Sequence, residues 1–446
     1  MINRKIYNRL KSFFDNSKQA LLVTGARQVG KTYAIRKVGR ECFKHFVEFN
    51  FVENQQLATI FKQPTDAQSI ILRLSAFADS KLVPNESLIF FDEVQECPEV
   101  VTAIKFLVDE GSYRYVMSGS LLGVELNNLR SVPVGYMAIE EMYPLDFEEF
   151  ANALGMSDMA MEHLRKCFNQ QESVDAVVHN KMMELHRLYL IVGGMPAVVM
   201  KYLTTNNMLE VRGEQENIIN LYRKDISKYD KGNSLYIKDI FDIIPSELNA
   251  KNKRFIMKSL NENAKFNHLK NSFLWLANAG VAIPVYNVEE PQMPLKLNEQ
   301  RNLFKLFLND VGLLAAMYSQ NFQSQMIIGE TNLNFGAIYE NFAAQELRSH
   351  GCVPYYFNSK KQGELDFVVE LDGKVLPIEI KSGKDYKRHN ALHNVMQTKN
   401  YALSRAIVFT NNNVESVGNI LYLPIYMLMY IEPKAIENPI VRFEPI

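Results

Sequence analysis

Three stretches of this chain carry apolar runs that end abruptly in polar residues: LLVTGARQVGKT (Leu21–Thr32), SLIFFDEVQ (Ser87–Gln95) and YRYVMSGS (Tyr113–Ser120). Such runs predict buried strands of a parallel sheet, and the carboxyl ends of such strands are where the sheet presents groups to a ligand. From Phe147 to about Thr205, Leu, Met and Phe recur with helical period, interrupted near Gly155 and at Gly193-Gly194, which predicts a helical subdomain. Gln215 to Val288 reads as several short helices followed by a strand-like run, AGVAIPVYNV. NFGAIYENFAAQELRSHG, Asn334 to Gly351, has the pattern of another helix. In GELDFVVELDGKVLPIEIKSG, Gly363 to Gly383, apolar residues alternate on both sides of Asp372-Gly373. That pair suits a two-residue hairpin loop in which both positions take φ > 0.

The totals narrow the picture only a little. At 446 residues the chain exceeds a single core, so roughly two to four domains are expected. Hydrophobic residues at 47% and charged residues at 22% exclude global disorder, and a net charge of -1 means that any nucleic-acid binding rests on local patches. Cys42, Cys97, Cys167 and Cys352 are scattered without CxxC spacing, which fits a reducing cytosol and neither a disulfide framework nor a zinc site. The start, MINRKIYNRLKSFFDN, is amphipathic and lacks the apolar core of a signal peptide. The longest apolar run, LYLPIYMLMYI, spans 11 residues and is broken by Pro424, short of the roughly 20 that a membrane-crossing helix needs. The expectation is a cytoplasmic protein with no membrane partner.

The first strand run ends in GxxxxGK[ST], Gly25 to Thr32. Gly25 and Gly30 let the backbone of Gly25, Ala26, Arg27, Gln28, Val29 and Gly30 curl so that successive N–H groups face a phosphate. Lys31 would meet the β- and γ-phosphates, and Thr32 would hold Mg²⁺ while opening a helix whose N-terminus favours the same anion. The second run ends in Asp92, placed to bind Mg²⁺ through water, and Glu93, placed to orient the attacking water. The third ends in Ser118 and Ser120, either of them a hydroxyl at the sheet's ligand edge or a plain Ser-Gly turn. Arg130 is the nearest candidate for an arginine finger. The chemistry expected is Mg²⁺-dependent binding and hydrolysis of a nucleoside triphosphate.

These residues resemble the bacterial and archaeal AAA-type P-loop ATPases that carry a nuclease-like C-terminal domain. The resemblance runs over GARQVGKT, FFDEVQ, MSGSLLG, MYPLDFEEF, VGGMPAVV and the hairpin at Gly363–Gly383. It implies ATP as the nucleotide and a helical lid after Phe147. Relatives tend to carry a Gly-Arg pair where this chain has Gly135-Tyr136, a departure that implies slow turnover if that arginine serves hydrolysis. The helices and strand before Val288 have the order of a winged helix–turn–helix. Lys251 to Lys270 holds six Lys or Arg against one Glu, read either as a phosphate-binding face or as the solvated surface of a structural joint. Trp275, among Phe273, Leu274 and Leu276, reads as core.

A two-residue loop at Asp372-Gly373 sets Leu371 opposite Lys374, Asp366 opposite Glu379 and Glu364 opposite Lys381. The four charged residues then share one face, and Leu365, Phe367, Ile378 and Ile380 the other. Facing carboxylates destabilise a strand pair unless a cation lies between them. Pro377, without an N–H, demands an unpaired position or a bulge that would shift the register. Asp366…Glu379-Ile-Lys381 matches the PD-(D/E)xK nuclease core. That resemblance implies a metal held by Asp366 and Glu379 with Glu340 from the preceding helix, Lys381 beside the scissile phosphate, and Gln397 as an additional polar residue. Lys381, Lys384, Lys387 and Arg388 against Asp385 make the region locally basic. His389 and His393, with no third ligand evident, read as surface histidines.

The fold expected is α/β. Residues 1–146 would form a P-loop AAA-type core, 147–205 a helical lid, 206–290 a winged-helix-like domain and 291–446 an α/β PD-(D/E)xK nuclease-like domain. Two functions stay open. One is an ATPase whose C-terminal domain engages DNA or RNA, with or without Mg²⁺-dependent cleavage. The other is a nucleotide-dependent switch that acts through a protein partner, its C-terminal domain an inactive scaffold in which Glu364 and Lys381 pair. Oligomerisation is open under both.

Overall fold

The computed structural model describes residues 2–62, 66–119, 135–229, 234–250, 253–256, 266–319, 323, 325–326 and 335–434. Ser120, Arg130 and much of the basic stretch from Lys251 to Lys270 lie outside the described residues. The chain forms two compact units, one of Met1–Ser157, Leu185–Pro284 and Leu306–Asn332, the other of Asp158–Glu184, Val285–Lys305 and Leu333–Ile446.

The first unit begins with α1 (Lys5–Asn16), which buries Ile6, Tyr7, Leu10 and Phe14 at helical spacing. The three apolar runs become strands, joined by two more: β1 (Ala20–Thr24), β2 (His45–Asn50), β3 (Ser87–Asp92), β4 (Arg114–Ser118) and β5 (Met137–Glu141). They form a parallel sheet in the order β2-β3-β4-β1-β5. The intervening helices are α2 (Lys31–Cys42), α3 (Ala67–Phe77) and α4 (Glu99–Glu110). Buried Phe49, Ile89, Phe91, Tyr115 and Met117 pack against Leu74 of α3 and Ile104 and Leu107 of α4. Every residue of β3 is buried, as a strand covered on both faces requires.

Next comes α5 (Phe147–Ala153), started by a capping box in which Asp146 and Glu149 exchange bonds with each other's backbone. It is followed by α6 (Asp158–Gln170), α7 (Ala176–Val192) and α8 (Pro196–Thr205), the last two meeting at 118°. Gly193-Gly194 makes that corner, and a Cβ on Gly194 would run into the Leu145 carbonyl. Among the described residues no single helix is long and apolar enough to cross a membrane. α9 (Met208–Tyr229), α10 (Ser234–Asn249) and α11 (Phe266–Asn278) follow. Trp275 on α11 is buried with Phe273 and Leu276.

The second unit is built on an eight-stranded mixed sheet. Its strands include β6 (Ala282–Val288) and β7 (Glu299–Leu308); after α12 (Val311–Met317) and α13 (Gly336–Ser349) come β8 (Tyr355–Ser359), β9 (Gly363–Leu371) and β10 (Lys374–Ile380). Then α14 (Asn390–Met396) leads to β11 (Ala406–Thr410), β12 (Glu415–Val417) and β13 (Ile420–Pro424), in the order β12-β13-β11-β10-β9-β8-β6-β7. α6 belongs to this unit, with Phe168 packed on Tyr430 at 5.3 Å between ring centroids.

The compact units cut across the boundaries expected at 146, 205 and 290. The strand-like run before Val288 is β6, and it lies between β8 and β7 in the large sheet rather than in a separate small domain. Long-range pairing with β8 decides this, and the local pattern of alternating apolar residues cannot reveal it.

The hairpin follows the expected register from Leu371↔Lys374 through Phe367↔Ile378. Asp372 and Gly373 take φ 50° and 73°. Pro377 faces Val368 without shifting that register. In a two-residue hairpin this is a non-hydrogen-bonded pair, so the missing N–H costs β9 nothing, and the ladder to β11 starts one residue later, at Ile378. The bulge lies on the other side of β9. Tyr355 pairs with Val368 and Phe357 with Leu365, which leaves Asp366 and Phe367 together opposite Tyr356. Strict alternation therefore fails: Leu365 and Val368 enter one apolar cluster with Tyr355, Phe357 and Val408, and Phe367 does not share a face with Leu365 there.

Candidate nucleotide site and the acidic hairpin

At the carboxyl edge of the first sheet the chain turns from Thr24 into Gly25, whose φ of 131° and close approach to the Met142 carbonyl admit no side chain. Gln28 (φ 70°) and Gly30 (φ 95°) complete the curl and α2 begins at Lys31. Gln28 in the left-handed region is a feature the glycine spacing did not reveal. Lys31 is buried, and its Nζ donates to the carbonyls of Gly25 and Ala26, both at 2.9 Å. Burial pulls its pKa down to about 8 against the opposing pull of Glu93 and Asp92. Val29 is buried and its carbonyl accepts from Arg4, which also holds Glu149 at 2.9 Å and the Tyr143 carbonyl at 2.8 Å.

Parallel register brings three polar side chains to one level of this edge. Asn50 pairs with Asp92 across β2 and β3, and Ser118 follows Met117, the partner of Phe91. Asp92 accepts from Asn50 at 3.3 Å, from the Ser118 hydroxyl and from the Thr32 hydroxyl at 3.2 Å. Burial raises its pKa, partly offset by Ser118. Ser118 is thus buried at the ligand edge of the sheet and bonded to Asp92. Glu93 takes φ 57°, and its carboxylate accepts from Gln95 Nε2 at 2.5 Å. Asn50 and Gln95 were not among the expected site residues; the Gln of FFDEVQ was their one visible signal.

A cavity of about 730 Å³ opens on the loop; Arg27, Lys31, Thr32 and Glu93 line it together with Tyr7, Met142, Leu145, Pro196, Ala197 and Met200. Its size suits a nucleotide-sized ligand. Its apolar lining comes from α1, from the chain after β5 and from α8. Thr32 and Asp92, with their oxygens converging, fit a hard divalent cation such as Mg²⁺. Tyr136 lies at the opposite edge: its carbonyl accepts from Ala20 at the start of β1, while the loop follows the end of β1. Position 136 therefore stands at the edge of the sheet away from the phosphate loop.

The hairpin of the second unit gathers six charges. Lys381 Nζ lies 2.5 Å from Glu379 and 3.9 Å from Asp366. Lys305 on β7, fully buried, lies 2.6 Å from Glu364 and 3.4 Å from Glu340 on α13. Burial works against the charge of Lys305, yet Glu340, Glu364 and Asp366 hold its pKa above the usual lysine value. Burial and Asp366 push Glu379 up, against the pull of Lys381. Asp366 Oδ2 also accepts from the backbone N–H of Ile380 at 2.9 Å, a bond its place in the bulge permits.

One expectation needs correction here. Glu364 pairs with Lys305, not with Lys381. Glu340, Asp366 and Glu379 approach one another, but with two lysines set among them, and no group of three or more His, Cys, Asp or Glu among the described residues is arranged to hold a metal ion. Lys305 is the residue that sequence reasoning missed. Gln397 bonds His393 at 2.7 Å on the exposed end of α14, and His389 bonds the Tyr422 hydroxyl at 2.7 Å, so the two histidines serve separate partners.

A family profile for the AAA domain matches residues 17–151. Two domains of unknown function match residues 183–324 (DUF8612) and 335–428 (DUF4143). No curated protein matches the chain. Among solved structures it is similar to a Walker-type ATPase of Pyrococcus abyssi at 12% identity, with 71% of this chain and 96% of that one covered and a TM-score of 0.41. It is similar also to the Orc1 protein of Aeropyrum pernix, solved with DNA, at 11% identity over 73% and 94% with a TM-score of 0.29. The RuvB Holliday-junction branch-migration motor of Thermotoga maritima matches at 13% identity over 66% and 91%, TM-score 0.29. With those scores it is the AAA profile and the loop geometry that carry the assignment. Residues 17–151 match the AAA domain and carry a P-loop fold.

Proposed function

We propose that the chain hydrolyses Mg²⁺-bound ATP in the cavity of the first unit. The observation that carries this is that Lys31, Thr32 and Glu93 line one cavity while the Thr32 hydroxyl meets the buried carboxylate of Asp92. Thr32 and Asp92 would hold Mg²⁺, which would neutralise charge on the β- and γ-phosphates. Glu93 orients a water whose oxygen bonds to the γ-phosphorus as the bond to the bridging oxygen breaks. ADP leaves with that electron pair, and the water's proton passes to Glu93 and on to solvent. Release of inorganic phosphate by wild type, by Lys31→Ala and by Glu93→Gln tests the reading. Wild type should turn over while Glu93→Gln binds ATP without turnover; equal phosphate release from all three would refute it.

For the second unit we favour a PD-(D/E)xK-like module that engages a partner without cutting nucleic acid. The specific observation is that Lys305 and Lys381 occupy the space between the acids. Incubation of the full chain with labelled DNA and RNA in Mg²⁺ or Mn²⁺, with and without ATP, is expected to yield no fragments. Mn²⁺ titration calorimetry should give matching traces for wild type and Asp366→Ala. Cleavage that Asp366→Ala abolishes would instead establish the Mg²⁺-dependent nuclease reading.

A further inference from the structure

Arg27 sits in the middle of the phosphate loop, a position where most side chains would only face solvent. Its guanidinium instead reaches α9, where Nη1 lies 2.5 Å from Asp225, a carboxylate only 8% exposed, while Arg27 itself remains 43% exposed. Docking of α9 on the loop does not need this bond, because the buried Tyr222 hydroxyl already donates to the Arg27 carbonyl at 3.2 Å. The salt bridge uses one end of the guanidinium. Its other N–H groups have no hydrogen-bond partner among the described residues, and the side chain lines the nucleotide cavity with Lys31 and Glu93. Arg27 also adds to the depression of the Lys31 pKa, so two cations line the same cavity near the start of α2. A planar fork with spare donors suits phosphate oxygens.

We propose that Arg27 recognises the terminal phosphate of ATP from within the same chain, with Asp225 as its positioning residue. This rests on the reading of the cavity as an ATP site. It supplies in cis the positive charge for which the sequence offered only Arg130. It also makes α9 the element that feels whether the γ-phosphate is present.

The test uses the full chain and compares equilibrium binding of ATPγS and of ADP, each displacing a fluorescent nucleotide, with steady-state phosphate release alongside. A charge-assisted phosphate contact contributes about 1.5–3 kcal/mol, on the order of 10- to 100-fold in affinity. Arg27→Ala should weaken ATPγS by about that factor and leave ADP within about twofold; retained ADP binding also shows that the variant is folded. Arg27→Lys should recover part of the preference. Asp225→Asn should lower it in the same sense, and Asp225→Glu should restore it. An unchanged ATPγS-to-ADP ratio in Arg27→Ala, or equal weakening of both nucleotides, overturns the proposal and leaves Arg27 a strut between loop and helix. Phosphate release by wild type no faster than by Lys31→Ala would refute hydrolysis while the binding ratio still decides on Arg27. Binding of neither nucleotide by wild type would overturn both.

Discussion

Lys305→Met removes the one fully buried cation between Glu340 and Glu364 and keeps a side chain of similar length. Glu364 is 26% exposed and can return to water, so the cost falls mainly on Glu340, only 3% exposed, which keeps its weaker attraction to Lys381. Breaking a buried ion pair by deleting one partner costs about 3–5 kcal/mol, because the remaining charge is left in a poorly solvated site. Adding Glu340→Gln removes that charge and should recover most of the loss, since well-packed neutral pairs often equal buried ionic ones. The penalty should be insensitive to salt. Trp275 lies in the first unit and does not report on this site. Hydrogen exchange of the β9 and β10 amides in the intact chain does, and 3 kcal/mol corresponds to a rise of about 100-fold or more in exchange through opening. If Lys305 stands where a metal would, Mn²⁺ should slow exchange in Lys305→Met and leave wild type unchanged. Protection within about threefold of wild type, with no recovery from the second substitution, would refute the claim that Lys305 compensates the acids.

Three further predictions concern the first unit. Lys31 has a depressed pKa, about 8, without nucleotide, and bound phosphate favours its charged form. ATP affinity should therefore be level below pH 8 and fall above it, with proton uptake on binding that calorimetry in buffers of different ionisation enthalpy can measure. Asp310 accepts from the N–H groups of Gly194 at 2.6 Å and Leu313 at 2.9 Å, yet burial raises its pKa from 3.8 to about 6. The folded form then binds more protons than the unfolded one, so stability should decline as the pH rises from 3.8 toward 6, and thermal melts of Asp310→Asn should lack that slope. Gly194→Ala would push α8 away from Leu145. It should cost about 1–3 kcal/mol by overpacking and weaken nucleotide binding through the shifted wall, both visible in melts with and without ATP.

What was legible in the sequence was what neighbouring residues settle among themselves. The phosphate loop could be read because its glycines, Lys31 and Thr32 act within eight consecutive positions. The hairpin could be read because Asp372-Gly373 and an alternating pattern determine register without help from elsewhere. Asn50 beside Asp92 and Ser118 required knowing the strand order, and the bulge at Asp366 required β8. Lys305 lies far before the hairpin in an otherwise ordinary strand, and nothing local distinguishes it from a surface lysine. Asp225 is equally remote from Arg27. In both units a distant residue decides what a recognisable motif does. Lys305 pairs with Glu364 and Glu340 beside the acidic hairpin. Asp225 holds the guanidinium of a loop arginine, Arg27. A motif places reactive groups, but the charges that long-range folding sets beside them determine whether the group meets a cation, a phosphate or another side chain.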